Sequence, residues 1–230
     1  MIVNHDPYWH CVIDDFFTNP DQLAKEFPDP DDPCWFRYDN PLEVKRTCND
    51  WHRFPPETYK TFAWLTSDKF TQNLESMVDE DLFADQGLHG GGWHQHSRGG
   101  KLNVHLDYNI HPKLHLQRRL NLIVYLSPAW ESSWGGGLGL YQDSRTLAKV
   151  IEPKFNRAVI FDTRGSWHGL PDPIKCPADV TRNSIAVYYL SEPATTTDNR
   201  KRALFAPTPE QMGDPEIERL IKDRVKPMTR

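Results

Sequence analysis

From Gly87 onward the chain alternates glycine-rich loops with short segments rich in apolar residues, at 101–106, 119–126, 137–141, 148–151, 157–161 and 183–190. Runs of this length, bounded by Gly, Pro and small polar residues, predict an all-β barrel or sandwich. The preceding stretch has another texture. A short strand is expected at 11–13, then a helix with Asn19 as cap, Pro20 first and Gln22 completing a capping box. Leu23 and Phe27 would face inward and Pro28 would stop it. Residues 28–56, dense in Pro and Asp, read as irregular wrapping. Two helices follow: one begins near Pro56 and aligns Tyr59, Phe62 and Leu65; the other, capped by Ser67, aligns Phe70, Leu74, Met77 and Val78. A tail helix capped by Asp214 and opened by Pro215 puts Ile217, Leu220, Ile221 and Val225 on one face, expected to pack on the β core or on the helix at 70–78. The expected organisation is an N-terminal strand and helical layer (1–86), a β core (87–195) and a C-terminal tail with its helix (196–230), forming one structural domain that is mainly β with flanking helices.

Composition narrows the function classes. A net charge of −5 over 230 residues lacks the basic surplus of a generic nucleic-acid binder. Cys11, Cys34, Cys48 and Cys176 form no CxxC pair, which argues against thiolate zinc and for reduced thiols. The charged, aromatic start MIVNHDPYWH is unlike a signal peptide, and no apolar run approaches a membrane span. The expectation is a soluble cytoplasmic protein, monomer or homodimer, with no membrane or nucleic-acid partner.

Within LNVHLDYN, His105 and Asp107 are two apart in an expected strand, so their side chains share a face about 7 Å apart at the backbone. From there both can reach one metal at about 2.1 Å. His168, in GSWHGL, arrives from a different strand. Two histidines and a carboxylate on one side of an ion leave the opposite side open, the facial triad of non-haem iron oxygenases. A lone HxD is weak, because ten histidines supply one easily; the downstream context gives it weight. Arg182 opens the apolar strand RNSIAVYYL, and an Arg buried at the mouth of a barrel needs an anionic partner. The distal carboxylate of a dicarboxylic acid would match its planar fork. Asn121 and Tyr125, four apart in RRLNLIVYL, share a strand face and can reach the same pocket, although Tyr125 also reads as a core tyrosine.

The ordered segments HLDYN, RRLNLIVYLSPAW, WGGGLGLY, IEPKFNRAVIFDT, SWHGL and TRNSIAVYYL resemble the prolyl-hydroxylase-like branch of the Fe(II)/2-oxoglutarate oxygenases over roughly residues 88–192. IEPKFNR is particularly similar to the oxygen-sensing prolyl hydroxylases. The collagen-type enzymes set a Lys against the co-substrate where this chain has Arg182. The resemblance implies a double-stranded β-helix (jelly-roll, cupin-like) core, Fe(II) on His105, Asp107 and His168, and 2-oxoglutarate on Arg182 and Tyr125. It also implies hydroxylation by O2 with release of succinate and CO2; ascorbate is a further candidate, and no catalytic group is expected beyond the metal ligands. Since Asp107 is present, halogenation is disfavoured. For substrate, the residues singled out are Trp93, His94 and Arg98 in the glycine-rich LHGGGWHQHSRGGK, with Asn109 and Trp167 flanking the triad. His94 and His96 read as a solvated pair. Three classes stay open: an oxygenase of a prolyl or other residue in a protein or peptide, an oxygenase of a small molecule, and a non-catalytic or other-metal cupin-like protein.

Overall fold

In the computed structural model, which describes residues 2–226, the chain builds two antiparallel sheets. In order, the elements are β1 (Ile2–Asn4), β2 (His10–Ile13), α1 (Pro20–Lys25), β3 (Phe36–Asn40), β4 (Glu43–Cys48), α2 (Pro56–Leu65) and α3 (Asp68–Val78). Next come β5 (Phe83–Ala84), β6 (Gly92–His96), β7 (Lys101–Leu102), β8 (His105–Leu106), β9 (Gln117–Tyr125), β10 (Leu138–Tyr141) and β11 (Leu147–Ile151). The last are β12 (Ala158–Asp162), β13 (Trp167–Gly169), β14 (Arg182–Ser191), β15 (Leu204–Phe205) and α4 (Pro215–Val225). The major sheet runs β1-β2-β12-β9-β14-β6-β4-β3, with β5 on β14 and β7 on β4; the minor sheet runs β11-β10-β13-β8-β15. This is a double-stranded β-helix type of core flanked by helices.

Strand alternation assigns the two faces of the major sheet. Leu120, Leu122, Val124, Ile160, Ile185, Val187 and Tyr189 point outward into the main core, where Phe62, Leu65, Phe70 and Leu74 of α2 and α3 cover them. The inner face presents Tyr125, Val159 and Phe161 to Leu138, Leu140 and Ile151 of the minor sheet, forming a second apolar cluster between the sheets. No described helix is long and apolar enough to cross a membrane.

Several elements differ from expectation. Residues 36–48, expected as wrapping, form the β3–β4 hairpin; its exposed, polar strand FRYDN lies at a sheet edge and carries no hydrophobic alternation. Asn19 makes no side-chain cap, whereas Ser67 and Asp214 accept from Phe70 and from Glu216 and Ile217. In α2 the inward set is Thr58, Phe62 and Leu65, with Tyr59 exposed. The tail helix meets one of its two expected alternatives: Ile217, with Leu220 and Ile221 partly buried, packs on Phe205 of the minor sheet and on Leu42, not on α3.

The largest correction concerns the glycine-rich stretch before the triad. Its centre is β6, paired with both β14 and β4 in the middle of the major sheet. Trp93 lies on its outer face, 1% exposed, against Phe54 (ring centroids 4.9 Å), Phe27 (5.6 Å) and Trp35 (6.2 Å). It is a core residue and cannot stack on a substrate ring. Trp93→Ala is therefore expected to destabilise the fold by about 3–5 kcal/mol, the range for emptying a buried aromatic site. Arg98→Ala, at an exposed turn, should stay within about 0.5 kcal/mol; denaturant unfolding of both variants checks the contrast.

Candidate metal centre and co-substrate pocket

Between β7 and β8 the chain changes sheets. Lys101 and Leu102 pair with β4 of the major sheet, while His105 and Leu106 pair with β13 and β15 of the minor one. The continuous strand expected at 101–106 is thus broken by a crossover, and Asp107 follows just past the end of β8. Asn103 pins the crossover: its backbone N–H donates to Leu42 and its side-chain amide to Ala206 and Gln211. Gly169 is required here, since a Cβ would lie 2.9 Å from the carbonyls of Leu102 and Asn103 and from the Cα of Val104. Its neighbour His168 is registered directly opposite His105.

The three expected ligands meet in one buried group. One ligand atom from each of His105, Asp107 and His168 lies within 4.8 Å of the others. His105 Nε2 is 3.7 Å from Asp107 Oδ1, and His168 Nε2 is 3.8 Å from Asp107 Oδ2. Each imidazole is oriented through its other nitrogen: His105 Nδ1 lies 2.9 Å from the Asn103 carbonyl and His168 Nδ1 2.9 Å from that of Ser166. A carbonyl only accepts, so both rings carry hydrogen on Nδ1 and present the Nε2 lone pair, the tautomer that binds a metal. Burial holds both rings below the usual imidazole range, His105 at about 3, so the close contacts with Asp107 are not salt bridges at neutral pH. The residues fit a divalent ion: two neutral imidazoles and a carboxylate whose Oδ2 is buried without a hydrogen-bond partner.

Asp107 is held ionised by a residue that sequence reading missed. Burial pushes its carboxyl up, but the adjacent Arg118 guanidinium outweighs it, leaving the group well below the usual carboxylate range. Arg118 Nη1 lies 3.1 Å from Asp107 Oδ1, and Nη2 donates to the His89 carbonyl at 2.7 Å. The rings of Tyr108 and Tyr188 sandwich it, with centroids 3.4 and 3.3 Å from its central carbon. The signal was present in QRRLNL: an arginine in a strand that must be buried needs a carboxylate.

The second cluster lies along the inner faces of β14, β9 and β6. Arg182 is 5% exposed, its Nε donates to the Gly136 carbonyl at 2.6 Å, and it has no carboxylate partner among the described residues. Gly136, at φ +75°, lets the loop close on it, because a Cβ there would lie 2.9 Å from Arg182 Cδ. Tyr125, cross-strand from Ser184, carries its ring 4.8 Å below the guanidinium. The Tyr125 hydroxyl and Asn121 Oδ1 are both buried and without a hydrogen-bond partner.

The expected substrate residues separate. His94 is half-buried on the inner face beside Ser184 and bonded to the Gly90 carbonyl at 3.1 Å. His96, read as solvated, is 3% exposed opposite Arg182. Asn109 sits half-buried just past the triad strand, its carbonyl accepting from Arg118 N–H. Trp167 is half-buried next to His168, with its side chain on the opposite strand face and its carbonyl accepting from Tyr8. Arg98 is exposed in the turn after β6.

A family model described as the 2OG-Fe(II) oxygenase superfamily matches residues 91–190, the span that carries both clusters. The chain has the fold of the 2OG-Fe(II) oxygenase superfamily. Similar solved structures include a Pseudomonas putida prolyl-4-hydroxylase (16% identity, 80% of this chain and 92% of that one, TM-score 0.58). Another is the viral collagen prolyl hydroxylase of Paramecium Bursaria Chlorella virus-1 in its 2OG complex (17%, 81% and 98%, 0.53). A third is HygX from Streptomyces hygroscopicus with nickel, 2-oxoglutarate and hygromycin B bound (15%, 83% and 85%, 0.52). Within this fold His105, Asp107 and His168 have the arrangement of a two-histidine, one-carboxylate facial triad.

Two expectations follow. Changing His105, Asp107 or His168 singly to Ala should abolish stoichiometric Fe(II) binding, since a three-ligand site has no spare donor; metal analysis after gel filtration reads this, and full retention removes that residue from the site. For the metal-free protein, His96, His105 and His168 all lie below the usual 6.5 in the folded state. Below about 6.5 the unfolded chain binds more protons, so folding stability falls with acidification, by up to about 1.4 kcal/mol per pH unit for each histidine. Asp107, shifted down, stays ionised through that window. Denaturant unfolding at about pH 7 and about pH 5 should show the loss; a flat profile contradicts the buried neutral assignment.

Proposed function

We propose that this protein hydroxylates a C–H bond of a prolyl or other residue in a protein or peptide, using Fe(II), O2 and 2-oxoglutarate and releasing succinate and CO2. The observation that carries the reading is the pairing of two buried clusters: a metal-ligand triad, and a buried arginine whose charge nothing in the described chain neutralises. A dicarboxylic 2-oxo acid satisfies both, with its oxo-acid end at the metal and its distal carboxylate at Arg182. When bound, the iron supplies the oxidative chemistry. The chain supplies position and dryness. His105 and His168 keep their Nε2 lone pairs free, Arg118 fixes the Asp107 carboxylate, and Arg182 and Tyr125 anchor the co-substrate. Leu138, Leu140, Val159 and Phe161 pack with Tyr125 in an apolar cluster between the sheets, a lining that would help keep water from the co-substrate.

The preference for a prolyl or peptide substrate rests on the sequence resemblance and on the architecture shared with the two prolyl hydroxylases. HygX, of comparable similarity and solved with hygromycin B bound, favours the second reading, a small-molecule substrate. A mass-spectrometric screen for a one-oxygen gain across peptides and metabolites separates the two. Fe(II)-dependent formation of succinate without any substrate would by itself exclude a non-catalytic protein.

Arg182 gives the sharpest check. Its truncation should cost about 2–5 kcal/mol of 2-oxoglutarate binding, the range for breaking a buried charged pair. That is roughly a 30- to several-thousand-fold loss of affinity in an anaerobic titration of the Fe(II) form. Arg182→Lys should recover part, because a point charge does not reproduce the fork. Tyr125→Phe should cost about 1 kcal/mol. Undiminished binding by Arg182→Ala would sink the co-substrate assignment.

A further inference from the structure

We propose that His96 is a third co-substrate-binding residue, an imidazole from β6 that donates to the same distal carboxylate Arg182 holds. The inference rests on the 2-oxoglutarate reading above and adds a residue to it.

His96 is 3% exposed, yet neither Nδ1 nor Nε2 has a hydrogen-bond partner among the described residues. Buried imidazoles elsewhere in the chain are not left so: His10, His105 and His168 each place Nδ1 2.9 Å from a backbone carbonyl. Burying a polar ring without a partner is costly, so two orphaned nitrogens on one ring mark a group whose partner is not part of the fold. Placement says which partner. His96 is registered directly opposite Arg182 on the neighbouring strand and projects to the same inner face. Directly opposed residues have Cβ atoms about 5 Å apart, so one carboxylate can meet both side chains. Arg182 spends its Nε on Gly136, leaving its terminal nitrogens for a ligand. Gly100 packs on the ring from behind, where a Cβ would lie 2.9 Å from His96 Cβ and 3.4 Å from Cδ2, so the imidazole is held in place.

The charge balance agrees. Burial and the adjacent Arg182 cation both hold the ring in its neutral form, which still offers one N–H. A single anionic carboxylate between Arg182 and a neutral donor leaves no uncompensated charge. The distal carboxylate is then read from three strands: by Arg182 on β14, the Tyr125 hydroxyl on β9 and His96 on β6.

The test is anaerobic titration calorimetry of the Fe(II) protein with two ligands, 2-oxoglutarate and 2-oxobutyrate, which keeps the 2-oxo acid end and lacks the distal carboxylate. His96→Phe should weaken 2-oxoglutarate about 10- to 100-fold, as for a hydrogen bond to a charged group, and leave 2-oxobutyrate unchanged. His96→Gln, which restores a donor, should recover much of the loss. The ligand-free His96→Phe protein should melt at or above the wild-type temperature, because an unpartnered polar group has been replaced by an apolar one; a merely structural histidine would lower it. Unchanged 2-oxoglutarate affinity in His96→Phe, or equal weakening of both ligands, overturns the proposal while leaving the Arg182 assignment intact. If wild type binds the two ligands equally and Arg182→Ala changes neither, the co-substrate reading itself has failed and His96 falls with it.

Discussion

A carboxylate taken out of water must be paired, and the pair must itself be held, or the group is lost to protonation. Asp107 meets that demand through Arg118, and the demand propagates outward. Arg118 needs the flat faces of Tyr108 and Tyr188 and the carbonyl of His89. Tyr188 is fixed by its place in β14, and β14 is registered against β9, β6 and β5. A single buried charge in the minor-sheet half of the site is thus tied to the centre of the major sheet. Both sheets must be formed before the metal ligands have their final geometry.

The second cluster follows the opposite logic. Arg182, Tyr125 and His96 converge without completing one another, leaving a cation and several polar atoms unpartnered, while Asn121, registered opposite Tyr188, lies further along the same inner face. Native interiors rarely tolerate this. Where they do, ordered water, an ion or a ligand supplies the partner; on the proposed co-substrate reading, part of the stability forgone in the free protein is returned on binding.

How much of this was legible in sequence depended on which side of a strand carried the signal. β9, β12 and β14 carry long apolar runs, so they read clearly, and Arg182 came with β14; the metal ligands were legible instead from the two-residue spacing of His105 and Asp107 and from His168 in a separate short segment. β6 was hidden because its inner face carries His94 and His96, glycines lead into it and another pair follows shortly after it, so a central strand looked like a loop. Trp93 was misplaced for the same reason: without the strand there was no way to see that it alternates away from the histidines. The β3–β4 hairpin was invisible because its edge strand is exposed and polar. Arg118 was legible in principle by the reasoning that found Arg182, but a second arginine beside it, Arg119, pairs with Glu80 and Asp162, and sequence alone does not say which of two adjacent arginines faces the metal.

The segment that follows the β core reaches back to the metal-ligand triad at three points. Arg200 Nη1 donates to the Asp107 carbonyl at 2.6 Å, Phe205 stacks on the His105 ring at 5.0 Å, and Gln211 accepts from Asn103 at 2.6 Å. During synthesis all three ligands leave the ribosome well before these contacts exist. Until residues 200–211 fold back, His105, Asp107 and His168 lack these three supports. The geometry of the triad thus depends on residues as far along the chain as Gln211 as well as on the ligands themselves.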